Sequence, residues 1–242
     1  MWILWVFAAL SGEGEPVTFA TANLGARNST PRAAAEAVVA AGADIVVLVE
    51  CSRASLALDT LESAGLRLLV DGRDPTPWGM CVVGRVEGEA SMVPAPWGGP
   101  CVGPIGVLRV PLGSAFVTVL GVHLPARAPE CSGTTDAAVV KLASLFREGR
   151  LIAAFGPGRA GDAVVVAGDL GSQGRKLRPF VTAGLVDPAE LADERLITWS
   201  LGPLRGWPDH ILVPRTWGAG GGGVFDLPGS DHRGVWRAAT PG

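Results

Sequence analysis

A mixed α/β fold with two sheets is the fold class that this 242-residue sequence predicts. Three observations carry it. Apolar, strand-like runs alternate with helical stretches early in the chain. Hairpin-like pairs of runs replace that alternation in the middle and at the end. Glycine stands at 34 positions and proline at 19, so many tight turns separate short elements. A purely parallel, doubly wound sheet would lack the hairpins, so two sheets fit better.

Val17–Asn23 reads as the first strand. Pro31–Ala41 is a helix, with Ser29 or Thr30 as cap and Pro31 in its first turn. Asp44–Val49 is a continuous Ile/Val/Leu run, hence a strand buried on both faces. Arg53–Ser63 is helical and stops at Gly65. Leu66–Val70 and Met80–Gly84 are strands, and Ile105–Val110 with Ala115–Val122 make a hairpin around Pro-Leu-Gly-Ser. Thr134–Arg147 is an amphipathic helix, Ala163–Ala167 a buried strand, and Arg175–Ala183 a short helix. His210–Val213, Gly223–Asp226 and Gly234–Arg237 close the chain as strands. No repeat and no domain boundary is visible after residue 16, so residues 17–242 form one domain.

Apolar residues make up 48% and charged residues 18%, which excludes intrinsic disorder. A net charge of −3 gives no global field for nucleic acid. Met1–Leu10 is apolar and Gly12–Pro16 looks like a linker. Ten residues are too few for a bilayer that needs about 20, and no positive charge precedes them. Three readings stay open: the end of a longer membrane segment, a degenerate signal sequence, or a packed terminal element. The first two make the protein membrane-anchored or secreted; the third leaves it cytoplasmic. Cys51, Cys81, Cys101 and Cys131 form no C-x-x-C pair. Three full pairings are open, Cys101–Cys131 being the bridge expected from their Pro/Gly-rich surroundings, and four free thiols are the other reading.

Polar residues collect where apolar strands end. Asn23, Glu50, His123 and Asp169 each close such a run, and Asp209-His210 and Asp231-His232 follow. All three histidines of the chain lie in these positions. Strand ends aim side chains rigidly at a crevice, so they are where α/β folds place ligands.

The ordered set Thr-Ala-Asn-Leu, Val-Leu-Val-Glu, Val-His-Leu, Gly-Asp-Leu, Asp-His-Ile-Leu-Val and Gly-Ser-Asp-His-Arg resembles the endonuclease/exonuclease/phosphatase superfamily over about residues 17–238. The resemblance implies a four-layer sandwich of two mixed β-sheets flanked by helices. It implies that Asn23 and Glu50 hold a divalent metal, magnesium or manganese. His123 would contact the scissile phosphate or assist the leaving group, and Asp169 would orient or deprotonate the attacking water. Asp209 would lie near phosphate and metal. Asp231 would orient His232 or ligate the metal, and His232 would be a general base or phosphate contact. His210 reads as structural. The implied activity is phosphodiester hydrolysis by in-line attack of water, in a monomer acting on nucleic acid or lipid. Arg175 and Lys176 would grip a phosphate.

The chain departs from the pattern at Gly171, where the family usually has asparagine, and at Val49, where glutamine often stands. Loss of one preorganised donor costs on the order of 10²–10³ in rate. A binding module that has lost catalysis is therefore the alternative. No G-x-S-x-G or Walker motif is present. Gly218–Gly223 matches G-x-G-x-x-G but precedes no helix, so it reads as a flexible hairpin loop. Trp78 and Trp97, in loops, would stack, touch lipid or pack.

Overall fold

The computed structural model describes residues 16–95, 103–113, 115–124, 134–147, 157–159, 161–172, 174–191, 196–201 and 203–242. The Met1–Leu10 run, Trp97 and the Cys101–Cys131 pairing lie outside them.

Fourteen strands are found among the described residues. They are β1 (Val17–Asn23), β2 (Ile45–Val49), β3 (Arg67–Gly72), β4 (Met80–Gly84), β5 (Glu89–Val93), β6 (Ile105–Leu112) and β7 (Ala115–His123). Then follow β8 (Ala163–Asp169), β9 (Leu185–Val186), β10 (Trp199–Leu201), β11 (Leu204–Gly206), β12 (Asp209–Pro214), β13 (Gly218–Asp226) and β14 (Arg233–Thr240). One six-stranded sheet runs β13-β14-β1-β2-β4-β3, a second runs β5-β6-β7-β8-β12-β9, and β10-β11 is a separate ribbon. Each large sheet is mixed, with β1–β2 and β7–β8 parallel among antiparallel neighbours. The helices are α1 (Pro31–Ala40), α2 (Leu58–Ser63), α3 (Thr134–Arg147), α4 (Arg178–Thr182) and α5 (Pro188–Leu191).

Strand alternation generates the layers. Val17 and Phe19, Ile45 and Val47, Val117 and Val119, Val165 and Ala167, and Ile211 and Val213 meet in one core between the sheets. The intervening Ala20, Ala22, Val46 and Leu48 face α1 and α2, packing on Ala34, Val38 and Leu61. Leu120, Val122, Val164, Val166 and Leu212 face α3 and α4, packing on Val139, Leu142 and Phe180. A period of two along each strand thus feeds two cores. Each buried Val or Leu contributes roughly 1.5–3 kcal/mol. The four-layer sandwich expected from the sequence is the architecture observed.

Some local expectations are corrected. The second helix begins at Leu58 rather than Arg53. Ser52 and Ser55 exchange side-chain hydrogen bonds with each other's backbone N–H, at 2.8 and 3.0 Å, and hold those residues in a turn instead. Thr30 occupies the cap position of α1 without making a cap bond; its hydroxyl bonds Asn28 Oδ1 at 3.1 Å. Arg175–Ala183 divides into a 3₁₀ turn, Gly174–Leu177, and α4, because Pro179 sits in the first turn of α4 and cannot donate backward. The Gly218–Gly223 run is part of strand β13, paired with β14, and not a loop. Its glycines leave space for Trp236 and Arg237, whose side chains lie against them.

Cys51 and Cys81 are disulfide-bonded, which excludes four free thiols. The bridge ties the residue after Glu50 to β4, whose Cys81 lies opposite Leu48 of β2.

Candidate functional site: a carboxylate–imidazole cleft between the sheets

Asn23, His123, Asp169 and Asp209 share the alternation that faces the inter-sheet core. They replace its apolar residues at one end of the layer. His123 pairs with Asp169 across β7–β8, and Asp169 with Asp209 across β8–β12. The three therefore form a row on adjoining strands of one sheet. Asn23 and Glu50 come from the other sheet.

Glu50 has φ +53, the one left-handed non-glycine residue among the described residues. Such a conformation costs roughly 1–3 kcal/mol and persists only where neighbours enforce it. Here Ser55 Oγ donates to the Glu50 carbonyl at 3.0 Å, Cys51 N donates to Gly79 O at 2.9 Å, and the disulfide holds Cys51. The turn swings the Glu50 carboxylate to Asn23, whose Nδ2 donates to Glu50 Oε1 at 3.0 Å and to Asp169 Oδ2 at 3.3 Å. Asn23 thus presents its amide nitrogen to both carboxylates, while Gly25 N donates to its Oδ1. Ala26 N donates to Glu50 Oε2 at 2.9 Å.

His232 enters from the segment before β14. Its Nδ1 lies 2.9 Å from Asp209 Oδ2. The carboxylate that orients this imidazole is therefore Asp209, not the neighbouring Asp231. The Asp231 carboxylate accepts a hydrogen bond from Trp199 Nε1 at 2.9 Å. The Nε2 atoms of His232 and His123 lie 3.9 and 4.0 Å from the same oxygen, Asp169 Oδ2. Asp169 Oδ1 accepts from Gly171 N at 2.8 Å. The indole of Trp78 packs on the His123 ring, centroids 5.2 Å apart.

Burial and charge decide where the proton sits. Burial, and then the neighbouring Asp169 charge, push the Asp209 carboxyl above its usual range, against the pull of His232. Burial alone would lower the His232 pKa. The hydrogen bond to Asp209 and the charges of Asp209, Asp169 and Asp231 outweigh it, and the pKa is pushed up to about 9. The pair holds its proton on the imidazole.

A divalent metal fits this donor set. Glu50, Asp169 and Asp209 bring three carboxylates to one cleft, and Asp209 Oδ1 is buried without a hydrogen-bond partner. Asp169, Asp209 and His232 also place one ligand atom each within 4.8 Å of one another. Hard oxygen donors of this kind suit magnesium or manganese.

A family model, the Endonuclease/Exonuclease/phosphatase family, matches residues 20–232. The chain belongs to this family. No curated protein sequence matches it. Among solved structures it is similar to truncated TDP2 of Caenorhabditis elegans, at 17% identity and TM-score 0.71, covering 93% of this chain and 97% of that one. It is similar to TDP2 of D. rerio complexed with a single-strand DNA product, at 14% identity and TM-score 0.71, covering 93% and 99%. SmcL is similar at 16% identity and TM-score 0.64, again covering 93% and 99%. At these identities the likeness establishes the shared fold.

Within the family frame, the cleft assembles Asn23, Glu50, His123, Asp169, Asp209 and His232. Arg175 and Lys176 are exposed on the 3₁₀ turn, and Lys176 Nζ lies 3.1 Å from Asp136 of α3. Gly171 has φ +58 and closes the turn after Asp169. His210 points to the opposite face of β12, to Asp187 and the Ser172 carbonyl. Asp187 was not singled out in the sequence; its position one residue before Pro188 gave no signal beyond a turn.

Proposed function

We propose that the protein is a divalent-metal-dependent phosphodiesterase. The carrying observation is the convergence of His123 and His232 Nε2 on Asp169 Oδ2, beside the carboxylates of Glu50 and Asp209, gathered from both sheets. A phosphodiester brings negative charge to a negatively charged cleft. Glu50 would hold magnesium or manganese, with Asn23 and Asp169 next to it. When bound, the ion would neutralise charge on the phosphoryl oxygens as a Lewis acid. Asp169 accepts a proton from water or orients it. His232, fixed by Asp209 and carrying its proton, is the phosphate contact rather than the base, and His123 stands at the phosphate or the leaving oxygen. Trp199 holds Asp231 so that its charge supports the His232 imidazolium. Arg175 and Lys176 remain a phosphate grip, which for Lys176 requires release from Asp136.

The substrate class is a phosphate ester of nucleic acid or lipid, acted on by a monomer. The Cys51–Cys81 bridge supports an oxidising compartment, hence a secreted or membrane-anchored protein, because cytosolic thiols stay reduced. No helix of the described residues is long and apolar enough to cross a membrane. Gly171 favours a second reading, a binding module, because it supplies no side-chain donor.

The test is hydrolysis of bis(p-nitrophenyl) phosphate beside p-nitrophenyl phosphate, with magnesium, manganese or chelator, and His232→Ala as control. Metal- and His232-dependent cleavage of the diester supports the proposal. Metal binding without turnover by folded protein supports the binding module.

A further inference from the structure

We propose that His210 and Asp187 form a positioning pair that sets the Asp169 carboxylate by bracing the turn behind it. The proposal rests on the phosphodiesterase reading only for its effect on turnover. Alternation on β12 sends Asp209 into the cleft and His210 to the other side of the sheet. There His210 is 1% exposed and Asp187 8% exposed. His210 Nδ1 lies 2.6 Å from Asp187 Oδ2, and its Nε2 lies 2.8 Å from the Ser172 carbonyl. A carbonyl only accepts, so Nε2 carries a proton and donates, and a second proton lies between Nδ1 and the Asp187 carboxylate. Asp187 Oδ1 accepts from Ala189 N at 2.8 Å, which fixes the aspartate at the start of α5. A chain of hydrogen bonds thus runs from α5 through His210 to Ser172.

Ser172 ends the turn that begins at Asp169. Within it, Gly171 N donates to Asp169 Oδ1 at 2.8 Å, so the direction of that N–H sets the carboxylate. Gly171 has φ +58 and no side chain of its own to fix the turn. Leu170 N is tied to Pro208 O at 2.8 Å on the near side. On the far side the tie is the Ser172 carbonyl, held by His210.

Amide hydrogen exchange on the full chain tests this without requiring turnover. In His210→Phe the Gly171 amide exchanges about tenfold faster or more, while Arg109 and Thr118, at the far end of the same sheet, are unchanged. Asp187→Asn preserves protection. Its Oδ1 still accepts from Ala189, its amide donates to a neutral His210 Nδ1, and Nε2–H still reaches Ser172. Asp187→Ala loosens Gly171 as His210→Phe does, and serves if the phenylalanine variant does not fold. On a diester, His210→Phe lowers kcat about 10–100-fold with KM within about twofold, and Asp187→Asn restores kcat. Unchanged Gly171 exchange in His210→Phe overturns the brace. So does uniform acceleration of every amide with no rescue by Asp187→Asn, which would make the pair merely structural. An inactive wild type overturns the phosphodiesterase reading and leaves the exchange result to decide the brace.

Discussion

Asp209→Asn exchanges one carboxylate oxygen at the base of the cleft for an amide and leaves the shape intact. Its main effect falls on His232. That imidazole has its pKa raised from 6.5 to about 9, first against burial and then by Asp209 and the acidic groups around it. At about 1.36 kcal/mol per unit, the difference corresponds to about 3 kcal/mol of preference for the charged ring in the folded state. The folded pKa lies above the unfolded one, so this contribution is fully present below pH 6.5 and is lost as the pH rises through 9. Without the Asp209 charge, burial regains influence and the midpoint falls by more than about one unit. The substitution also removes a carboxyl whose charge is disfavoured by burial and by Asp169, which offsets part of the loss at His232 without cancelling it near pH 6. The variant is therefore less stable than wild type near pH 6, and the gap closes as the pH passes 9. The chain has three histidines, so their C2–H resonances are readily assigned by single substitutions and followed by NMR in chelator. Urea unfolding across the same pH range gives the stabilities. A wild-type His232 midpoint near 6.5, or one that Asp209→Asn leaves in place, would refute the electrostatic account of the pair.

Three further outcomes are expected. Cys51→Ala with Cys81→Ala opens a link across 30 residues and costs about 3.5 kcal/mol in urea unfolding, by loop entropy alone. Asp162→Ala removes the nearer partner of buried Arg109, bonded at 2.8 Å, and leaves it only the exposed Glu89 at 3.6 Å, so it costs about 3 kcal/mol at pH 7, the lower end for breaking a buried pair. The pair lies at the opposite end of β8 from Asp169, so magnesium or manganese should shift the Tm of the variant as much as that of wild type. Gly171→Asn keeps the left-handed turn, which asparagine tolerates, so Tm changes little. If the missing donor limits turnover, kcat on a diester rises at least about tenfold in the same variant.

The layers were legible because alternation was strong. The inward parity of Val17 and Phe19 continues to Asn23, and that of Val165 and Ala167 to Asp169, so core and cleft obey one pattern. What alternation could not show was pairing between strands. Asp231 stands beside His232 in sequence, yet neighbours along an extended chain point apart, and Asp209 arrives from β12 instead. Cys51 meets Cys81 because β2 and β4 run antiparallel in one register, a fact absent from either local sequence. Short β9, β10 and β11 carry too few residues for any period, and glycine in β13 carries no side chain to reveal one.

The order in which the strands pair has a consequence for biosynthesis. β1 lies between β2, its neighbour in sequence, and β14, the last strand of the described chain. Asn23 and Glu50 therefore meet early, while His232 and the strand that closes over β1 leave the ribosome late. Until then β1 has an open edge, and the nascent chain is a sticky, incomplete sheet. A ribosome stalled before β14 would release a polypeptide with most of its apolar mass and no working cleft.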